Sequence, residues 1–176
     1  NNFVINPRRP LISNIDSIPM PNYDAFPMTY YRLLRAPNCS KTDFVMPMIS
    51  GRGCPFTCTF CYRLDKGFRP RSVESIVEEI KYLKSKYNIN YILFEDELLM
   101  SSIGRTEKIC KYFIKHKLNI KWCCNGRLNY AEKPLLKLMK NAGCVFINYG
   151  IESMDDNVLK LMKKNLTVKQ IKKGIE

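Results

Sequence analysis

The fold of this chain is constrained most by an alternation of short apolar runs with helical patterns after residue 43. The runs cover residues 44–49, 91–94, 120–124 and 144–149. Each is followed by a segment whose apolar positions recur every three or four residues, which is the spacing of one helix face. The runs do not alternate apolar with polar residues, so we expect parallel strands covered on both faces. This pattern predicts four β/α units, arranged as part of a barrel or as an open doubly wound sheet.

The first 42 residues have a different composition. They hold six of the ten prolines and no glycine. Because proline fixes φ and removes a backbone donor, we expect an extended leader with at most a short helical turn near Tyr30 to Leu34. We therefore predict an interdomain connector over 1–42 that packs along another domain, and a core domain over 43–176. The chain starts without Met and stops within a predicted helix, so we expect a barrel truncated at the C-terminus and a longer parent protein.

The overall composition excludes several classes of protein. Hydrophobic residues make up 45% and charged residues 26%, which is typical of a packed domain and not of a disordered chain. No run approaches about 18 apolar residues, and the N-terminus lacks the pattern of a signal peptide, so we predict a cytoplasmic protein with no membrane span.

The net charge of +13 raises the question of a nucleic-acid partner. Of the 29 basic residues 19 are Lys, and 18 of these follow residue 65, mostly between the apolar positions of predicted helices. A nucleic-acid surface would favour Arg, aromatic residues and clustering on one element. The pattern indicates solvated helix faces and does not favour nucleic acid, although a basic surface can assist an anionic partner.

Unusual polar residues and cysteines follow each predicted strand. Functional groups of both candidate architectures gather at the carboxyl ends of the strands. We therefore expect one site formed by the residues in these positions: Gly51 to Cys61 after the first strand, Glu95 to Glu97 after the second, Asn125 to Arg127 after the third, and Gly150 and Glu152 after the fourth.

Three of the eight cysteines form a Cys-x3-Cys-x2-Cys pattern at Cys54, Cys58 and Cys61. The other five lie in apolar or scattered positions, where buried thiols acting as small hydrophobes are expected. Three thiolates on one loop can hold an iron–sulfur cubane, whose fourth iron is then open to another ligand. A zinc site is the alternative, but it needs four N or S ligands and His116 is the only histidine.

The segment from Gly51 to Cys61 resembles the cluster loop of the radical SAM superfamily, including the aromatic Phe60 before the last cysteine. The resemblance extends from about residue 44 to the end. It implies a full or partial (β/α) barrel and a 4Fe–4S cluster held by Cys54, Cys58 and Cys61. It also implies S-adenosylmethionine (SAM) on the fourth iron, and reductive cleavage to a 5′-deoxyadenosyl radical. The one-electron reductant would be a protein such as flavodoxin or ferredoxin.

The same resemblance suggests residues that bind SAM. Glu95 or Asp96, with backbone carbonyls, would accept from the amino group; Arg127 would pair with the carboxylate, and Glu152 would reach the ribose. Phe60 is a further expected cofactor contact. The alternatives are a solvated acidic loop or helix cap at Glu95 and Asp96, and a structural arginine at Arg127.

The leader points to one subgroup. Residues 15–24 are similar to the connector between a cobalamin-binding domain and a radical SAM core, and the Gly-Ile-Glu-Ser segment after the fourth strand suits the same group. This implies methyl transfer, cyclisation or a similar modification of a small-molecule or peptide substrate, with cobalamin bound upstream in the full-length protein. The Asp-x-His-x-x-Gly cobalamin motif does not occur in this sequence. A tRNA-modifying radical SAM enzyme and a non-catalytic electron-transfer protein are the alternatives.

Overall fold

The computed structural model describes residues 3–63 and 67–176. The described strands, in chain order, are β1 (Val45–Met48), β2 (Gly51–Gly53), β3 (Phe68–Pro70), β4 (Tyr91–Phe94), β5 (Lys121–Gly126) and β6 (Cys144–Tyr149). The described α-helices are α1 (Met28–Tyr31), α2 (Val73–Tyr87), α3 (Ile103–Lys115), α4 (Lys133–Asn141), α5 (Asp156–Leu161) and α6 (Val168–Ile175). None of the helices in these ranges could span a membrane.

The main sheet has four parallel strands in the order β1-β4-β5-β6. These are the four strands predicted from the apolar runs, and the α/β fold with parallel strands is confirmed. Because β1 lies at an edge of the sheet, Pro47 can occupy it without removing a hydrogen bond from a central ladder. Closure into a barrel stays a prediction.

One strand pair was not predicted. Residues 51–53, expected to be the exit loop of the first strand, form β2 and pair antiparallel with β3. A Cβ atom on Gly53, whose φ is +80°, would lie 2.3 Å from the Gly67 carbonyl oxygen, so glycine is needed for this close approach. The pattern of a three-residue strand is too short to recognise, and its partner lies beyond the cysteine segment. The pair holds both ends of that segment together.

Helices α2, α3 and α4 pack against the sheet and bury the main core with it. Ser72 caps α2 by accepting from the Ser75 amide, and Gly143, with φ +95°, follows the end of α4. Trp122 is fully buried between the rings of Phe94 and Phe113 and donates from Nε1 to the Ala142 carbonyl at 2.9 Å.

The leader packs on this core over much of its length. Ile15 and Tyr23 are buried, and the Tyr23 hydroxyl donates to the buried Glu79 of α2. Further along, Tyr91 of β4 donates its hydroxyl to the Pro37 carbonyl, and Asn38 donates to the Val145 carbonyl at 2.8 Å. The packing of the leader along another domain stays a prediction. In this structure residues 15–43 pack on the core domain itself.

Candidate functional site

The three sequence-predicted cysteine ligands lie in an irregular loop at the carboxyl edge of the sheet. Within residues 54–63 the structure has bends and turns but no helix or strand. The loop is anchored by the Thr59 amide, which donates to the Met162 carbonyl at 2.9 Å, and by Arg63, which donates to the Phe56 carbonyl at 3.1 Å. We call residues 54–63 the cysteine loop.

The thiols of the cysteine loop differ in exposure. Cys58 is buried, Cys54 is partly buried and Cys61 is exposed. Burial raises the pKa of the Cys54 thiol. Slight desolvation, which the exposed Cys61 still has, and the nearby Cys58 raise the pKa of Cys61. Without iron these two thiols are therefore mostly protonated at neutral pH, and cluster assembly would release protons.

The donor chemistry of the cysteine loop fits an iron–sulfur cluster, because it offers three thiols within eight residues. In the described part of the chain, no three Cys, His, Asp or Glu side chains are already grouped as a metal site. The loop carries few backbone hydrogen bonds, so its thiols can converge without breaking a helix or a sheet.

Arg127, which directly follows β5, is buried against the cysteine loop. Its guanidinium lies 3.7 Å from the Phe56 ring centroid, and Nη1 is 3.9 Å from Cys58 Sγ. Nη2 donates to the carbonyls of Lys164 and Asn165. The side chain thus joins the cysteine loop to the turn after α5 and places a positive charge beside the Cys58 sulfur.

Asp96 lies deeper than the other sequence-predicted SAM residues. It is 1% exposed, and its carboxylate accepts from both the amide and the hydroxyl of Ser50 at 2.9–3.0 Å. Arg105 of α3 donates to the Ser50 carbonyl at 2.6 Å, so Ser50 is held from both sides. Burial raises the pKa of Asp96, while Ser50 and Arg105 oppose that shift. We call Asp96, Ser50 and Arg105 the Ser50 clamp; it fixes the chain four residues before Cys54.

Glu95 points to a different environment from its neighbour Asp96. It is exposed and lines a cavity of about 500 Å³ together with Arg52, the end of β1 and part of the leader. Its amide donates to the Met48 carbonyl at 2.9 Å, which continues the β1–β4 pairing by one residue. A ligand at the C-terminal edge of the sheet can therefore reach the Glu95 carboxylate, whereas the Asp96 carboxylate is buried.

Glu152 and Phe60 meet at a residue that sequence reasoning missed. The Nζ of Lys164 lies 3.0 Å from Glu152 Oε1 and 5.3 Å from the Phe60 ring centroid. A Cβ atom on Gly150 would lie 2.4 Å from Glu152 Oε1, so the absence of a side chain there allows this approach. Lys164 is 6% exposed, although its sequence context predicts a solvated lysine. No local signal distinguishes it from the exposed lysines around it.

Side-chain amides connect the ends of three strands. Asn125 of β5 donates to the Asp96 carbonyl at 2.9 Å, and Asn148 of β6 donates to the Asn125 side-chain oxygen at 3.1 Å. The structure thus brings Phe60, Arg127 and Glu152 together around Lys164, with Cys58 beside Arg127, and it places Asp96 in the scaffold.

Comparisons with known proteins identify the family of this chain. Residues 48–176 match the profile of the Radical SAM superfamily. An uncharacterized methyltransferase of Pyrococcus horikoshii is 36% identical over 167 residues, which are 93% of this chain and 35% of the relative. The anaerobic magnesium-protoporphyrin IX monomethyl ester cyclase of Rubrivivax gelatinosus is 29% identical over 129 residues, 71% of this chain and 23% of the cyclase.

A solved structure gives the same result for the fold. The cobalamin-dependent S-adenosylmethionine radical enzyme OxsB, with aqua-cobalamin and SAM bound, matches with a TM-score of 0.63 and 25% identity over 73% of this chain and 21% of OxsB. The present chain spans about a third or less of the length of these relatives. Members of the matched family use a 4Fe–4S cluster and SAM. The profile covers most of the chain and includes the cysteine loop, and the chain therefore belongs to the radical SAM superfamily.

Proposed function

We propose that this chain is the cluster- and SAM-binding core of an enzyme that cleaves SAM reductively to a 5′-deoxyadenosyl radical. The observation that carries the proposal is the cysteine loop, which is held at the carboxyl edge of a parallel sheet with Arg127 beside Cys58. When bound, a 4Fe–4S cluster would pass one electron to the sulfonium of SAM and break its bond to the 5′ carbon.

In this proposal Cys54, Cys58 and Cys61 are the three protein ligands of the cluster. Their thiols must lose protons on binding, and the Arg127 guanidinium lies beside the Cys58 sulfur. The Ser50 clamp positions the loop from its N-terminal side, and the Thr59 hydrogen bond to Met162 positions it from the side of α5.

We assign the SAM contacts from the bonds that each candidate side chain already makes. We assign the amino group to Glu95 and the strand-end carbonyls, because the Asp96 carboxylate is already bonded to Ser50. Glu152 is assigned to the ribose, with Lys164 and Phe60 holding it in place. Arg127 is assigned to the carboxylate through Nη1, since its other nitrogens bond to Asn129, Lys164 and Asn165.

The parent protein is proposed to be a methyltransferase or cyclase of the cobalamin-dependent group. The curated relatives above carry these activities in their names, and the OxsB structure contains cobalamin. Its substrate is proposed to be a small molecule or a peptide. All eight cysteines are free thiols, which supports a reducing, cytoplasmic location.

The test is SAM cleavage by the full-length protein, reconstituted anaerobically with iron and sulfide. With dithionite we expect 5′-deoxyadenosine and methionine in equal amounts. Cys58→Ala should produce neither, and the matched core variant Cys123→Ala should behave as wild type. A protein that holds a cluster but never cleaves SAM would support the electron-transfer alternative and refute the proposal.

A further inference from the structure

A buried series of polar contacts joins the leader to the chain just before the cysteine loop. The Tyr23 hydroxyl of the leader donates to Glu79 of α2, and Glu79 forms an ion pair with Arg71. Tyr23 is 8% exposed and Glu79 is 3% exposed, so both polar groups lie inside the protein. Burying a charge is costly unless it is paired, and the proposed function assigns no role to this buried carboxylate.

Arg71 continues the series to the two residues that follow β1. Its Nη1 donates to the Ile49 carbonyl at 3.0 Å, and its backbone amide donates to the Ser50 carbonyl at 2.9 Å. Arg105 of the Ser50 clamp donates to the carbonyls of Arg71 and Ser50, at 3.2 and 2.6 Å. The series of contacts that begins in the leader therefore ends at the Ser50 clamp.

The leader holds the same segment at a second point. Asp16 accepts from the Ser72 amide, with its two oxygens at 3.1 and 2.9 Å from the nitrogen. Ser72 is the N-cap of α2 and directly follows Arg71. Arg71 is thus fixed on one side through Asp16 and on the other side through Glu79.

This series of contacts lies beside the proposed SAM site. Tyr23 and Glu79 line the same cavity of about 500 Å³ as Glu95. The Glu95 amide donates to the Met48 carbonyl, so the position of Glu95 depends on the end of β1. A shift of this strand end would therefore move the groups that we assign to the amino group of SAM.

We propose that Tyr23 is a positioning residue for SAM binding, which acts through Glu79 and Arg71 on the end of β1. This inference rests on the proposed function and adds that the leader sets the geometry of the SAM site. Without the Tyr23 hydroxyl, a buried oxygen of Glu79 loses its donor, and Glu79 and Arg71 must rearrange to satisfy it. A displacement of about 1 Å caused far from the chemistry can cost up to about a hundredfold. Because the amino group of SAM is not at the bond that breaks, the loss should weaken binding and leave the cleavage step unchanged.

A second tyrosine provides a matched control. Tyr87, the last residue of α2, donates its hydroxyl to Asp24 of the leader at 2.6 Å. Tyr23→Phe and Tyr87→Phe each remove one hydroxyl that joins the leader to α2, and each variant keeps its aromatic ring. In the described part of the chain the side-chain bonds of Asp24 end at the last turn of α2, so this contact does not reach β1.

The full-length reconstituted protein is assayed for 5′-deoxyadenosine over a range of SAM concentrations, with dithionite as the reductant and the rate expressed per loaded cluster. We expect Tyr23→Phe to raise the KM for SAM roughly three- to tenfold and to change kcat by less than about twofold. Tyr87→Phe should match wild type in both constants. Calorimetric titration with SAM should show the same change in the dissociation constant without turnover.

A double-mutant cycle tests the path through Glu79. Glu79→Gln keeps the size of the side chain and one acceptor oxygen, but it removes the charge that pairs with Arg71. If Tyr23 acts through Glu79, adding Tyr23→Phe to Glu79→Gln should raise the KM by less than about a further twofold. A full three- to tenfold increase in both backgrounds, roughly independent of Glu79, would overturn this path.

An unchanged KM in Tyr23→Phe, or an equal rise in Tyr87→Phe, would overturn the positioning proposal alone. The proposal is also wrong if Tyr23→Phe lowers the free energy of unfolding or the cluster content and leaves the KM at the wild-type value, because the hydroxyl is then only structural. If wild type binds no SAM and forms no 5′-deoxyadenosine, the proposed function fails and the positioning proposal with it.

Discussion

The cysteine loop and the sheet contain the same residue type in two different settings. Cys110, Cys123 and Cys124 are 0–4% exposed and lie within α3 and β5. Cys58 is hardly more exposed, at 6%, so burial does not separate the two groups. What separates them is that Cys58 lies on irregular backbone beside a guanidinium. A thiol becomes a candidate ligand through its backbone and its charged neighbours, and a thiol in a regular element serves packing.

The largest effect expected from this comparison is on iron content. Cys54→Ala, Cys58→Ala and Cys61→Ala should each lose the reconstituted cluster, since each removes one of three ligands. Cys123→Ala and Cys144→Ala should keep it. Iron and sulfide analysis with the visible spectrum measures this difference. If Cys58→Ala kept a full cluster, the cysteine-loop thiols would not differ from the core thiols as ligands, and the comparison would be wrong.

The Ser50 clamp connects the two regions, and breaking it should have the next largest effect. Asp96→Ala leaves the buried amide and hydroxyl of Ser50 without their acceptor. Each unsatisfied buried donor costs about 1–3 kcal/mol, so we expect a loss of about 2–6 kcal/mol in the free energy of unfolding. Urea unfolding of the apo protein measures it. Glu95→Ala is the control, because its exposed side chain should change stability by less than about 0.5 kcal/mol. Equal effects of the two variants would contradict the assignment of Asp96 to the scaffold.

A smaller effect is expected at the SAM contacts. Glu152→Ala removes one charge-assisted hydrogen bond worth about 1.5–3 kcal/mol, so SAM affinity should fall by roughly ten- to a hundredfold. Iron content should not change, since Glu152 is not a ligand of the cluster. Calorimetric titration with SAM gives the affinity. Normal binding by both Glu152→Ala and Arg127→Ala would show that the SAM pocket lies elsewhere.

The smallest effect concerns pH and the core thiols. Burial raises the pKa of Cys110 to about 12, against about 8.5 for an unfolded cysteine. Between these values the unfolded state has lost the proton and the folded state keeps it, so stability falls as pH rises through this window. Over the single pH unit from 9 to 10 the contribution of Cys110 is therefore up to about 1.4 kcal/mol. Unfolding of wild type and Cys110→Ala at pH 9 and at pH 10 should show a shallower slope for the variant; parallel slopes would contradict the assignment.

The sequence was sufficient where the information is local. The four strands of the main sheet follow from apolar runs of a few residues, and all four were predicted correctly. The contacts that build the site join distant positions. Asp96 meets Ser50 across 46 residues, and Arg127 meets Lys164 across 37. The sequence pattern showed which residues follow the strands. It did not show that the Asp96 side chain is buried in the scaffold, or that Lys164 contacts the residues of the site.

The central claim is that three cysteines of one loop hold the cluster and leave one iron open to SAM. Mössbauer spectroscopy of the full-length protein, reconstituted with ⁵⁷Fe, tests it most directly when spectra are recorded with and without SAM. The account predicts that one of the four irons changes its signal on SAM addition and the other three do not. Four irons that all stay unchanged with SAM would contradict it, most clearly if the cluster also depends on Cys110 or Cys124.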